Sequence, residues 1–158
     1  GKTEGHIDQS LFARTILDEK NGPPPEVNLF NEKNNGESIL ELINKGLVKS
    51  VHDISLGGLL TALSKMCIKG NKGIKLKKAK NLLHEIEYFF AEDQGRYIIE
   101  INPDKLKEVS KILDKNSVHF EELGIIIEKD MIINEKTKVT IDELKSYNTN
   151  WLTNYMSS

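Results

Sequence analysis

A strand that runs straight into two glycines and an amphipathic helix constrains this chain more than any other feature. The segment is VHDISLGGLLTALSKMCIKG, Val51 to Gly70. Leu47 to Ile54 reads as a strand. Leu59, Leu60, Leu63, Met66 and Cys67 then recur at helical spacing, and Gly70 is a fitting stop. The junction His52-Asp53-Ile54-Ser55 therefore sits beside the positive end of a helix, where polar side chains and bare amides can hold an anion.

The rest of the pattern mixes helices and strands. Asp8 is the expected cap of a helix running to about Asp18, and Ser38 to Lys45 reads as a second helix ended by Gly46. Between them, Pro23-Pro24-Pro25 excludes helix and central strand, leaving a stiff connector or a proline-motif ligand. Ile74 to Leu76 suggests a short edge strand, and Leu82 to Glu87 fits either element. Tyr88 to Ala91 and Tyr97 to Ile101 read as strands around a tight turn at Glu92-Asp93-Gln94-Gly95-Arg96. A helix starts at Pro103, with Leu106, Val109, Ile112 and Leu113 on its apolar face. Val118 to Ile127 is a strand region with a possible bulge at Gly124. Met131 to Ile133 and Lys138 to Ile141 form a hairpin pattern, and Thr140 or Asp142 caps a last helix. Without strict βαβ alternation, the pattern predicts an α+β fold: a mixed, largely antiparallel sheet with packed helices. Residues 1–35 read as a lead-in helix with the proline-containing connector, and 36–158 as the main domain.

Bulk properties exclude several classes. Lys plus Arg number 22 and Asp plus Glu 24 among 158 residues, so neither a nucleic-acid partner nor a membrane surface is expected. A single cysteine, Cys67, excludes an internal disulfide and suits a reducing compartment. No apolar run approaches membrane-spanning length, and the expectation is a cytoplasmic protein. The chain opens on Gly1 rather than Met, which suggests a piece of something longer.

Two segments carry the candidate chemistry. At the first, His52 is a proton donor or shuttle, Asp53 an orienting group or cation partner, and Ser55 a phosphate ligand or helix cap. Gly57 and Gly58 permit close approach of a ligand or of another backbone. The competing account has the glycines merely turning, Ser55 capping, and His52 bonding a local carbonyl. At the second segment, alternation sends Glu92 and Gln94 to one face, and Arg96 too if the strand is unbroken. That makes either a polar ledge with Arg96 as an anion-binding fork, or a solvated hairpin with a weak Glu–Arg pair. His6, His52, His84 and His119 share no metal-ligand spacing, so no metal site is expected. Cys67 reads as a core thiol, Lys69 to Lys80 as a solvated edge, and Trp151 with Tyr155 as a docking face for the last helix.

Together these segments carry a family resemblance. HDISLGGLLTALSKM resembles the His-Asp-x-Ser-Asp-Gly-Gly-Leu signature in C-terminal domains of the aminoimidazole ribonucleotide synthetase-like superfamily, and FFAEDQGRYIIEI resembles its Phe-x-Glu-Ser-Gln-Gly-Arg strand-turn. The opening GKTEGHIDQS, with Gly22-Pro23-Pro24-Pro25 and Val27-Asn28-Leu29, is similar to the lead-in to the last domain in the phosphoribosylformylglycinamidine synthase family. The resemblance implies an ATP-dependent ligase step of de novo purine synthesis, in which formylglycinamide ribonucleotide becomes the amidine using ammonia from a glutaminase. It implies ATP and magnesium for the full enzyme, held by domains outside these residues. It also implies a glutaminase subunit, a small accessory subunit, and the remaining domains of the chain as partners. It places this segment last in the second of two tandem halves, of whose two pseudo-symmetric arrangements one is catalytic; because the ATP-binding-type domains that supply the catalytic histidine and magnesium ligands are not among these residues, no turnover is expected from them alone. His52, Asp53, Ser55, Gly57, Gly58, Glu92, Gln94 and Arg96 carry over as candidate ligand-facing positions. Leu56 stands where the pattern has Asp, and Asp93 where it has Ser, and both departures fit a relict or structural site. The alternatives are another member of the superfamily, such as aminoimidazole ribonucleotide or selenophosphate synthetase, or a free-standing binding module.

Overall fold

A computed structural model describes residues 1–77, 84–135 and 137–157. The chain groups into two units, Gly1–Ala62 with Leu82–Glu121 and Leu63–Asn81 with Glu122–Ser158. The architecture is α+β with helices and mixed sheets, in two separate sheets rather than the one expected.

In the first unit, α1 (Leu11–Ile16) is capped by Ser10, whose Oγ accepts from the Ala13 amide at 3.1 Å; the expected cap Asp8 lies outside the helix. No helix or strand forms across the proline run. α2 (Leu29–Asn44) begins at an Asn28 cap, nine residues before the expected start, and carries the chain unbroken across positions 35 and 36. Its first half has no apolar stripe: Leu29 and Phe30 are exposed, and three asparagines and Gly36 favour turns over helix. Tertiary bonds compensate. Asn35 Nδ2 donates to the Gly95 carbonyl at 2.9 Å, and Asn34 donates to the Asn116 carbonyl. Gly46, at φ +64°, turns the chain so that the Leu47 amide reaches the Leu42 carbonyl.

β1 (Ser50–Asp53) pairs antiparallel with β3 (Tyr97–Glu100) in a two-stranded sheet, with His52 opposite Ile98 and Asp53 opposite Tyr97. α3 (Gly58–Gly70) follows the diglycine corner, as the periodicity predicts. The core gathers Leu42, Leu47, Val109, Ile112, Leu113 and Val118. It joins α2 to α5 (Leu106–Lys115), which is entered through a 3₁₀ turn at Pro103–Lys105.

The largest local correction is α4 (Glu85–Phe90), a helix where Tyr88 to Ala91 reads as a strand. The aromatic run Tyr-Phe-Phe has high strand propensity, but a local cap outweighs it. His84 Nδ1 accepts from the Ile86 amide at 3.3 Å while Glu87 accepts from the His84 amide at 3.1 Å. Tyr88 and Phe89 are buried, and Phe90 stacks on Phe12 with ring centres 4.8 Å apart. Positions 82 and 83 of the ambiguous segment, and the lysines at 78 and 80, lie outside the described residues.

In the second unit, a four-stranded sheet has the order β4-β2-β5-β6, from β4 (Gly124–Ile127), β2 (Gly73–Leu76), β5 (Met131–Ile133) and β6 (Thr137–Val139). β2, expected at an edge, is interior: it pairs antiparallel with β4 and parallel with β5. The strand region from Val118 narrows to Gly124–Ile127. Gly124 lies in register with Leu76, and a Cβ there would strike the Lys75 carbonyl, so close cross-strand approach rather than a bulge explains the glycine. α6 (Ile141–Met156) starts with a Thr140–Glu143 capping box. Trp151 and Tyr155 stack on each other with ring centres 5.6 Å apart and stay exposed.

Candidate functional site

The β1–β3 pairing is what brings the two sequence segments together. The Ile54 amide donates to the Arg96 carbonyl at 2.9 Å, extending the ladder past Asp53 and setting the 92–96 turn beside the junction. The eight candidate residues then separate by burial. Asp53, Ser55 and Gln94 are exposed and His52 and Glu92 half-buried, while Gly57, Gly58 and Arg96 are buried.

His52 Nδ1 donates to the carbonyl of Asp53 at 2.5 Å and lies 3.5 Å from the Asp53 carboxylate. The Ser55 carbonyl accepts from the Gly58 amide at 3.0 Å. Gly57 and Gly58 adopt φ +84° and +69°, the left-handed region that glycine reaches freely. At Gly58 a Cβ would sit 2.7 Å from the backbone of Phe89 and Phe90. Gly58 thus accommodates the chain's own α4, whereas a Cβ at Gly57 would meet the Thr61 side chain.

The turn expected at 92–96 leaves no unbroken strand there, and Glu92, Gln94 and Arg96 do not share a face: Gln94 is exposed while Arg96 is buried. Gln94 points to solvent. Glu92 Oε1 turns the other way, accepting from the Gly57 amide at 2.7 Å and the Leu11 amide at 2.8 Å. Arg96, the expected anion fork, is 95% buried: its Nη1 donates to the Ala91 carbonyl at 3.3 Å and faces Asp93 at 3.9 Å, and its Nε has no partner.

Sequence reasoning missed the partners of Arg96. Asp93 is an internal counter-charge rather than a surface carboxylate, and its Oδ2 accepts from the Thr3 hydroxyl at 2.6 Å. Tyr88 donates to Glu121 at 2.9 Å. The i, i+3 spacing of Asp93 and Arg96 is the one local hint; Thr3 lies ninety residues away. Burial pushes the Arg96 pKa down, opposed first by Asp93 and then by Tyr88 and Glu121. Burial, and then the Glu121 charge, push the Tyr88 phenol well above its ordinary 10.0. Because the folded value is raised, this stabilisation is complete below pH 10 and is lost as pH rises toward the folded value. Stability is therefore expected to decline above pH 10, and Tyr88→Phe to flatten that decline; an unchanged alkaline slope, followed by near-ultraviolet circular dichroism, overturns the assignment.

A hollow of about 560 Å³ beside Asp93 is lined by Glu4, His6, Asp8, Glu26 and Glu87 among others, an acidic wall unsuited to phosphate. Among the described residues, no group of three or more His, Cys, Asp or Glu could hold a metal ion. No helix among them is long and apolar enough to cross a membrane.

β1, paired with the distant β3, leads into the glycine-opened α3 and frames this corner. The chain belongs to the family of the AIR synthase related protein, C-terminal domain, whose model matches residues 7–134. Within that class it is 68% identical over all 158 residues to the phosphoribosylformylglycinamidine synthase subunit PurL of Pelagibacter ubique, and 36% identical over 156 residues to that of Bartonella henselae. These alignments take in 100% and 99% of this chain but 22% and 21% of those proteins, so the chain spans about a fifth of the relatives it matches. Among solved structures, Thermotoga maritima PurL complexed with FGAR superposes with a TM-score of 0.70 at 23% identity, over 84% of this chain and 24% of that one, a likeness of fold. The PurLQS structure from the same organism gives 0.66 at 25% identity, also over 84% and 24%.

Proposed function

We propose that this chain is the C-terminal domain of a longer ATP-dependent ligase that converts formylglycinamide ribonucleotide to the amidine in de novo purine synthesis. The observation that carries the reading is the 68% identity to a PurL subunit along the whole chain. ATP, with magnesium, supplies a phosphate to activate the formamide oxygen, and the residues that hold both lie in other domains. The acidic wall of the hollow beside Asp93 disfavours a nucleotide phosphate there. The domain belongs to the accessory half. It contributes a folded support, and His52, Asp53, Ser55 and Gln94 are the positions able to face a ligand or a neighbouring domain. Glu92, Arg96, Gly57 and Gly58 hold that surface in place. The partners are the remaining domains, a glutaminase subunit and a small accessory subunit, in the cytoplasm.

The test is an assay of the intact protein with its glutaminase and accessory subunits. ATP-dependent amidine formation is expected, and none from the 158-residue chain alone. Calorimetry of that chain with ADP, ATP and formylglycinamide ribonucleotide is expected to give no measurable heat. Absence of product from the intact assembly overturns the enzyme assignment, and tight substrate binding by the chain alone overturns the accessory role.

A further inference from the structure

We infer that Glu92 is a positioning residue whose carboxylate serves as the built-in anion of the diglycine corner and ties α1 to the entrance of α3. One oxygen of Glu92 accepts from two backbone amides of distant segments, Gly57 at 2.7 Å and Leu11 at 2.8 Å. Leu11 is the first residue of α1 and Gly57 directly precedes α3, so the one oxygen meets amides at two helix starts. A charged acceptor makes each of these bonds roughly twice as strong as a neutral one. The neighbouring wall is closed as well: Gly57 and Gly58 are buried, and the backbone of Phe89 and Phe90 lies within 2.7 Å of where a Gly58 Cβ would be. The Glu92 amide itself donates to the His6 carbonyl at 3.2 Å, which holds the carboxylate's own backbone against the lead-in segment. Anions therefore meet no free amide at Gly57, and displacement of α1 is transmitted directly to the loop that presents Ser55.

This inference goes beyond the enzymatic reading and does not require it. The test is hydrogen–deuterium exchange by mass spectrometry on the intact protein, with Glu92→Ala and Glu92→Gln. In Glu92→Ala, exchange is expected to rise roughly tenfold or more at both the Leu11 and Gly57 segments, with the β1–β3 segments unchanged. Formate is expected to restore part of that protection, and chloride at equal ionic strength to restore none. Glu92→Gln keeps the shape and an acceptor oxygen without the charge, and covers the case in which the alanine variant does not fold. It is expected to raise exchange at both segments together, by less. A rise at only one segment, no rise at either, or equal effects of formate and chloride overturns the inference. None of these outcomes bears on whether the intact protein makes the amidine.

Discussion

Gly58→Ala is expected to destabilise the 158-residue chain by about 3–5 kcal/mol. Two penalties combine. The residue sits at φ +69°, which costs a non-glycine residue about 1 kcal/mol or more. The added Cβ would also lie 2.7 Å from the Phe89 carbonyl oxygen and from Phe90 Cα, and backbone cannot step aside as a flexible side chain does. Relief requires α4 to move, and α4 is held by its His84–Glu87 capping box and by the Phe12–Phe90 stack. Denaturant unfolding measures the loss. A cost under about 1 kcal/mol would mean that the corner yields, and that the close approach is not what selects glycine there.

Arg96→Ala is the second large effect, expected at about 3–5 kcal/mol. The substitution empties a buried site and leaves Asp93, whose side chain is 12% exposed, with the Thr3 hydroxyl as its one remaining side-chain donor. The pair itself is not strongly stabilising. At 3.9 Å, with the Arg96 Nε unpartnered, the guanidinium gains little from its partner for the water it has lost. A double substitution, Arg96→Met with Asp93→Asn, is therefore expected to cost less than the sum of the two single changes, because no uncompensated charge stays behind. Additive costs in that double-mutant cycle would remove the pair as the cause.

These two sites mark the boundary of what the sequence discloses. The strand, the diglycine and α3 were readable because a short apolar run and a 3.6-residue period are local signals. The sheet pattern of the second unit was readable for the same reason, apart from the interior place of β2, which depends on which strands pair. α2 was half hidden because its first eight residues carry no apolar stripe and are held by asparagine bonds to residues some 60 and 82 positions away. At α4 aromatic strand propensity and a helix cap point in opposite directions, and the local His84–Glu87 cap outweighs the propensity. The candidate site was legible as a list of residues but not as directions. Alternation over 92–96 assumes a strand, and once the segment turns, Gln94 faces out while Glu92 and Arg96 face in. The identity of Asp93 as the counter-charge of Arg96 follows from burial, which spacing does not reveal.

The interior position of β2 has a consequence for how the second unit is made. Its partners β4 and β5 lie about 50 residues further along, so at typical elongation rates β2 leaves the ribosome roughly 3–10 s before either neighbour exists. During that interval Ile74 and Leu76, both buried in the finished sheet, have no strand to cover them. The nascent chain therefore passes through a stage in which an uncovered apolar strand waits for its ladder.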